Sequence, residues 1–222
     1  MRKGLRAERE RLVEFISGFA VKSPGIRKAF LAVERELFIP ENLRESAYAD
    51  NALPIGFGQT ISQPSTIAVM LELLEARAGM KVLEVGSGSG YVLALLSHIV
   101  GKEGKVYGTE LLEGLANQSR GNLEKAKIKN VEVRHSDGSK GWKEKAPFDR
   151  ILVSCACPFI PKPLFEQLNE KGRVVAPVGD TGTQSMEAIE KIRGKPFKKT
   201  FESGFFVFVP MKGEHGFHSS SL

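Results

Sequence analysis

Cysteine and histidine are scarce in this chain of 222 residues: it has two of the first, Cys155 and Cys157, and four of the second. Two cysteines one residue apart on a strand end point to opposite faces and cannot supply a disulfide framework. With neither a C-x-x-C spacing nor a neighbouring histidine they do not read as metal ligands, so buried thiols are the simpler reading and no metal is expected. His98, His135, His215 and His218 belong to no Ser-His-Asp pattern. Long hydrophobic runs are missing too, which excludes a membrane-spanning helix of roughly 20 apolar residues. Leu12 to Val21 is interrupted by Glu14 and lacks a small-residue cleavage pattern, so a secretory leader is not indicated and a cytoplasmic protein is expected.

Charge is plentiful without being concentrated. A net charge of +6 and a pI near 9.3 leave nucleic acid open as a partner, but the charged fraction of 26% is ordinary. The densest basic stretch, Arg2 to Arg11, is interspersed with Glu8 and Glu10 and has no aromatic residue, which reads as a solvated helix face rather than a nucleic-acid arm. The length suits one α/β domain with small additions.

The chain is organised around Lys81 to Tyr91, KVLEVGSGSGY. Lys81 to Val85 reads as a buried parallel strand, apolar on both faces. Gly86, Gly88 and Gly90 form a G-x-G-x-G turn, and Tyr91 to Val100 continues as an apolar helix. So little side-chain bulk lets a ligand approach the backbone beside a helix N-terminus. The dinucleotide fingerprint would require glycine where Tyr91 stands, which argues against a nicotinamide enzyme. Glu84, two residues before the first glycine, suits a cationic ligand better than a pyrophosphate. Lys105 to Glu110 is the next strand, ending in an acid 24 positions after Gly86. A carboxylate at such a strand end, about 20 residues on, accepts from ribose hydroxyls. Asn130 to His135 gives a third strand running into Asp137-Gly138, where an Asp can accept from an adenine amino group. Together these features resemble the cofactor half of S-adenosylmethionine (SAM)-dependent methyltransferases.

Before this core, Leu5 to Phe19 and Pro24 to Val33 have helical spacing, with Ser23 as N-cap and Pro24 at the first helical position. Glu41 to Tyr48 is a candidate third helix, and these pieces read as a cap on the core. Tyr48 to Ser65, YADNALPIGFGQTISQPS, follows no helix or strand period and is too apolar for disorder, which marks a functional loop. Ser62 there is either a functional residue or merely the N-cap of the helix from Ser65 to Leu74.

Ala49 to Pro64 resembles the substrate loop of the protein-L-isoaspartate O-methyltransferases. Leu37 to Pro40, with Arg35, resembles that family's R-x-x-F-V-P segment. Ser136 to Trp142 resembles its G-D-G-x-x-G, Phe148 to Pro158 its fourth strand, Ile160 to Leu168 its I-P-x-P-L-x-x-Q-L, and Gly172 to Gly179 its G-G-x-x-V-x-P-V-G. Phe206 to Gly216 resembles its F-V-P-L segment. Gln63 and Ser65 depart from the Ala and His of many members, so an imidazole contact to the cofactor cannot be carried over. Ser136 replaces a common Gly.

The resemblance implies a Rossmann-like fold with a seven-stranded, mostly parallel sheet, helices on both faces and an N-terminal helical cap. One domain would cover residues 1–217, with a cap at 1–48, the substrate loop at 49–65, the SAM-binding core at 66–217 and a disordered tail at 218–222. Strands are expected at Arg150 to Ser154, Arg173 to Pro177, around Met186 to Ile192, and at Phe197 to Glu202 and Phe205 to Val209. Pro161 to Leu168 is expected as a helix and Gly179 to Gln184 as a loop. The implied reaction moves the SAM methyl group to the free α-carboxylate of an L-isoaspartyl residue in a damaged protein, leaving S-adenosylhomocysteine. The ester recyclises, giving another chance of normal aspartate.

By resemblance Ser62 is the active-site residue, donating to the isoaspartyl carboxylate. Leu53, Pro54, Ile55, Gly56, Thr60, Ile61, Val209 and Pro210 would line the peptide site. Glu84, Gly86, Ser87, Gly88, Glu110, Leu111, Asp137 and Gly138 would bind the cofactor. Isoaspartyl peptides are the expected partners of a monomer. A methyltransferase of tRNA or another acceptor would show a motif such as N-P-P-Y where this chain has Ser154 to Pro158, which disfavours nucleic acid. A non-catalytic SAM-binding protein would have lost Gly56 to Ser62.

Overall fold

The computed structural model describes residues 2–200 and 204–217. The expected tail at 218–222 and part of the strand Phe197 to Glu202 lie outside them. Two helices open the chain, α1 (Arg2–Ser17) and α2 (Pro24–Ala32). Ser23 holds the N-cap position of α2 but does not cap with its side chain. Its N–H and hydroxyl both donate to the Glu72 carboxylate instead, tying the cap to the helix that carries Glu72. A 3-10 turn, Glu41–Ser46, replaces the expected third helix at Glu41 to Tyr48, and another, Arg35–Leu37, precedes it.

The stretch expected as a loop contains an antiparallel hairpin, β1 (Leu53–Gly56) and β2 (Gln59–Ile61). Strands of four and three residues are too short to show a period, and their register shifts between Pro54 and Gly56. Helix α3 (Pro64–Leu74) follows, with Gln63 at its cap position and no side-chain cap. The Ser65 N–H donates to Asp50 Oδ1 (2.8 Å), so an acid from before the hairpin does the capping and Ser62 is free of that role.

The core alternates β3 (Lys81–Val85), α4 (Tyr91–Val100), β4 (Lys105–Glu110), α5 (Glu113–Lys125), β5 (Val131–His135), β6 (Phe148–Val153), α6 (Lys162–Glu166), β7 (Leu168–Gly179), β8 (Gln184–Ile192) and β9 (Lys195–Thr200). Seven strands form one sheet in the order β5-β4-β3-β6-β7-β8-β9, parallel from β5 to β7 and antiparallel through β8 and β9. The sheet explains the apolar strands. Val82, Leu152 and Val175 face the side packed by α3 and α4, while Leu83, Ile151, Val153 and Val174 face Phe148, Trp142 and Leu164 of the opposite side. Each central strand is buried on both faces, so alternation disappears from its sequence.

Three further expectations are corrected. The helix at Pro161 to Leu168 is only the five residues of α6, because Leu168 already begins β7. Strand β7 runs on to Gly179 and Gln184 opens β8, which shortens the loop between them. Phe205 to Val209 is not a strand: Phe206 makes one isolated bridge with Gln184, and the Gln184 side chain takes the Phe208 N–H (2.8 Å) in place of a ladder. Sequence reasoning assigned no element to α5. Its buried face includes Ser119 and Asn122 beside Leu115 and Leu123, so it carries no clean apolar stripe. The polar residues have a use: Asn122 Nδ2 donates to the Ser89 carbonyl (3.0 Å) inside the glycine turn. Among the described residues no helix is long and apolar enough to cross a membrane.

Strand β3 lies between β4 and β6, so the chain leaves in one direction along the sheet and returns in the other. That reversal opens a crevice at the carboxyl ends of the strands, where ligands of such sheets bind. Gly90 closes the turn there with φ of 90°, and a Cβ on it would fall 2.6 Å from Ser119 Oγ. Gly90→Ala should cost about 2–4 kcal/mol through left-handed strain and overpacking. Thermal melting should record that as a Tm lower by roughly 4–16 °C. Gly121→Ala, with open space around it in the same α5, should instead raise Tm slightly.

Candidate active site

The glycine turn leaves β3 with three left-handed residues, Gly86 (φ 80°), Gly88 (φ 51°) and Gly90 (φ 90°). The N–H groups of Gly86 and Ser87 both donate to the Thr109 carbonyl of β4, at 2.9 and 3.0 Å. The carboxylate of Glu110, the next residue, accepts from the N–H groups of Gly88 (2.9 Å) and Leu112 (3.0 Å). Turn and strand end are thus fixed to each other before any ligand arrives.

Above them lies a cavity of about 380 Å³. Gly86, Gly88, Glu110, Leu111 and Gly138 line it, as the sequence leads one to expect of a cofactor site. Asp137 does not. Its Oδ1 accepts from the Ser139 N–H and hydroxyl, and its Oδ2 from the Glu214 N–H, so the carboxylate is turned to the chain rather than to the cavity. Residues that sequence reasoning missed complete the wall: Leu112 and Leu115 of the α5 entry, Ser154 and Cys155 after β6, and Met211 and Lys212. Leu112 and Leu115 carry no signal of their own, because the helix they introduce is itself hidden. The hairpin tip covers the top, with the exposed Phe57 ring laid against Gly114, where any Cβ would collide with it.

Glu84 and Ser87 sit one layer deeper, around a small void of about 40 Å³ beside the turn. Glu84 Oε1 accepts from Ser154 Oγ (2.7 Å). Its Oε2 and the Ser87 hydroxyl are buried with no partner among the described residues. Burial pushes the Glu84 carboxyl up, the Ser154 hydrogen bond pulls it down and Glu110 pushes it up again, leaving it at about 8. Two orphaned polar atoms facing one void, one of them on a carboxylate, suit an ammonium group.

A second cavity, of about 240 Å³, adjoins the first. Ser62 lines it, together with Gln63, Thr66 and the extended segment from Phe205 to Val209. Thr60, Ser154 and Val209 line both cavities and form the wall between them. Of the remaining substrate-loop residues, Ile55 and Pro210 face the cofactor cavity, while Ile61 faces the small void. Leu53, Pro54 and Gly56 line none of the three.

Ser62 is held from behind. Arg35, with no exposed surface, donates from Nη1 to the Ser62 carbonyl (3.0 Å) and from Nη2 to the Asn51 carbonyl (3.1 Å). The guanidinium lies 5.4 Å from the centre of the Tyr91 ring. Asp50 adds its bonds to Gln63 Nε2 (2.9 Å) and to the Ser65 N–H. The departure at position 63 is therefore built into the same brace through its side chain, whereas position 65 joins it only through its backbone N–H.

A doubly wound sheet, a glycine turn next to a strand-end carboxylate and a buried acid beneath it define the architecture of a SAM-dependent methyltransferase. The relatives sharpen this. The family model described as protein-L-isoaspartate(D-aspartate) O-methyltransferase (PCMT) matches residues 7–215. A protein-L-isoaspartate O-methyltransferase 2 from Archaeoglobus fulgidus is 47% identical over 213 residues, 96% of either chain. One from Methanopyrus kandleri is 44% identical over 217 residues, 97% of this chain and 96% of the other. A solved protein-L-isoaspartate O-methyltransferase superposes with a TM-score of 0.83 at 31% identity, covering 94% of this chain and 67% of that one. A Plasmodium falciparum structure, described as a protein-L-isoaspartate O-methyltransferase in complex with S-adenosyl-L-homocysteine, gives 0.80 at 26% identity, over 94% and 98% of the two chains. This chain belongs to the protein-L-isoaspartate(D-aspartate) O-methyltransferase family.

Two expected outcomes test the site's framework. The Glu84 carboxyl ionises near its usual 4.5 in the unfolded chain and near 8 in the folded one. Its contribution to stability is complete below the lower value and is lost as pH rises through the higher, because unfolding then releases a proton. Glu84→Gln should therefore raise the Tm of the cofactor-free protein more at about pH 8 than at about pH 5. A Tm difference independent of pH in calorimetry would contradict this. Arg35→Met takes the donor from two part-buried bonds, to the Ser62 and Asn51 carbonyls, at about 0.5–1.5 kcal/mol each. Methyl transfer should fall further than SAM affinity, measured by calorimetric titration.

Proposed function

We propose that the chain moves the methyl group of SAM to the α-carboxylate of L-isoaspartyl residues in damaged proteins. The wall of Thr60, Ser154 and Val209 shared by the two cavities carries this reading, since it sets a group in one cavity next to a group in the other. The cofactor supplies an electrophilic methyl on a sulfonium centre. Gly86 and Gly88 offer backbone to its methionine part, Glu84 Oε2 and Ser87 Oγ suit its ammonium, and Glu110 suits its ribose hydroxyls. Gly138 and Ser139 lie where the adenine would rest, with Asp137 acting on it through the turn.

An isoaspartyl carboxylate with a pKa near 4 is ionised at neutral pH and needs no general base. The chain's task is to align an oxygen with the methyl group and to exclude water. Ser62 is the donor that fixes that oxygen, held in place by Arg35. The Phe205 and Val207 side chains, 85% and 78% exposed, stand beside the second cavity and offer apolar contact to the residues flanking the damaged site. Selectivity then resides in the isoaspartyl backbone kink rather than in neighbouring side chains. The same reading makes residues 1–217 one catalytic unit, monomeric and cytoplasmic; the two free, buried thiols are compatible with a reducing compartment.

The reading is tested with labelled SAM and two peptides identical except for L-isoaspartate or L-aspartate at one position, with bulk tRNA alongside. Base-labile label on the isoaspartyl peptide alone is the expected result; labelled tRNA, or no labelled peptide despite bound SAM, overturns it. Ser62→Ala should lower kcat/KM by roughly 10–100-fold, the loss of one hydrogen bond to a charged group, with SAM affinity unchanged.

A further inference from the structure

Asp137-Gly138 is the one Asp-Gly pair in the sequence, and no Asn-Gly occurs. An unhindered glycine nitrogen makes this the pair most prone to isoaspartate formation. Packing prevents its replacement: a Cβ on Gly138 would fall 2.6 Å from Thr109 Oγ1 and 2.7 Å from Val85 Cγ1, and the residue lines the cofactor cavity. We propose that Asp137-Gly138 is a latent isomerisation site in this chain, and that the segment Gly213 to His215 suppresses the reaction by holding the Asp137 carboxylate.

The chemistry sets three requirements. The Gly138 nitrogen forms a bond to Asp137 Cγ, and the carboxyl OH leaves with the nitrogen's proton as water. Water then adds to the Asp137 main-chain carbonyl, breaking its bond to the Gly138 nitrogen and leaving the chain running through Cβ. The carboxyl must be protonated so that its OH can leave, Cγ must reach the nitrogen, and the planar ring turns ψ of the aspartate negative.

The structure opposes each of them. Asp137 is held at ψ 103°. Its Oδ1 accepts from the Ser139 N–H (2.9 Å) and hydroxyl (2.7 Å), and its Oδ2 from the Glu214 N–H (2.9 Å). Partial burial pushes the carboxyl up, but the bonds from Glu214 and Ser139, with Lys140 nearby, outweigh it and keep the pKa below its usual value. Gly213 passes so close to the carboxylate, at φ 124°, that any Cβ would overlap it. The segment is fixed in turn by the His215 N–H on Ser139 Oγ (3.1 Å), by Phe217 N–H on the Met211 carbonyl (2.9 Å) and by the Lys140–Glu214 ion pair (2.5 Å). Isomerisation would add a carbon to the main chain next to Gly138 and spoil the cofactor wall. On the proposed function, such a damaged copy would be a substrate for an intact one and could not restore itself.

The test ages the full chain without SAM, so its outcome is independent of methyl transfer. Isoaspartate at position 137 is read from refusal of Asp-N cleavage and from fragment masses, with a free peptide of residues 132–143 as reference. The intact protein should isomerise about a hundredfold more slowly than the peptide, as expected for a reaction that needs local opening. Glu214→Ala keeps the N–H and loses only an exposed ion pair, so it should stay within about threefold of the intact protein. Glu214→Pro also removes that donor, besides fixing φ at 214, and should be about tenfold faster, the factor one lost charge-assisted bond implies. Ser139→Ala should also be faster. Asp149 and Asp180 serve as internal controls, because a misfolded variant would accelerate all three sites. Equal rates in the protein and the peptide, or in Glu214→Pro and Glu214→Ala, would overturn the proposal.

Discussion

A charged group without exposed surface stands at the joint between the two halves of the site. Burying the Arg35 guanidinium is costly unless its donors are used, and its Nε has no partner. What offsets the burial is the pair of carbonyls at Ser62 and Asn51, together with the face of Tyr91. Those groups come from the residues flanking the hairpin on either side and from the first turn of α4. The guanidinium therefore holds the segment from Asn51 to Ser62 against the helix that the glycine turn opens. Tyr91 occupies the position where a dinucleotide fold has glycine, so the departure that argued against a nicotinamide enzyme also supplies the platform for this joint.

The two acids of the cofactor side show how local donors divide their tasks. Glu110 is held by two backbone N–H groups that lie in the turn and at the α5 entry. Glu84 has one hydroxyl, a buried free oxygen and a neighbouring carboxylate, and its proton is retained to about 8. A cationic group arriving beside Glu84 would replace that proton as the compensating charge. The strand-end acid holds the turn in shape while still lining the larger cavity, and the acid inside the strand keeps one oxygen unbonded beside the small void.

Much of this was legible because it is backbone and spacing. Three glycines force left-handed residues, and strand-end acids fall at intervals fixed by a β-α-β unit. What was not legible depends on contacts between distant segments. Helix α5 hides behind Ser119 and Asn122, which face the glycine turn rather than an apolar core. The hairpin is too short for a period, and its tip, Gly56 to Gly58, is three left-handed residues in a row. Asp137 sits where the pattern placed it, yet its oxygens go to Ser139 and Glu214, and the latter is 77 residues further along the chain.

The segment after β9 shows why a missing strand matters. A fully paired strand would commit both backbone edges and alternate its side chains between two faces. From Phe205 to His215 the chain instead makes isolated bridges, at Phe206 with Gln184 and at Pro210 with Ala156. Between these it turns successive groups to different neighbours. Phe205 to Val209 line the second cavity, Val209 to Lys212 line the cofactor cavity, and Gly213 to His215 reach Asp137 and Ser139. A single irregular stretch thereby touches both cavities and the turn at Asp137. A ladder would have fixed its position more firmly but left it fewer directions in which to bond.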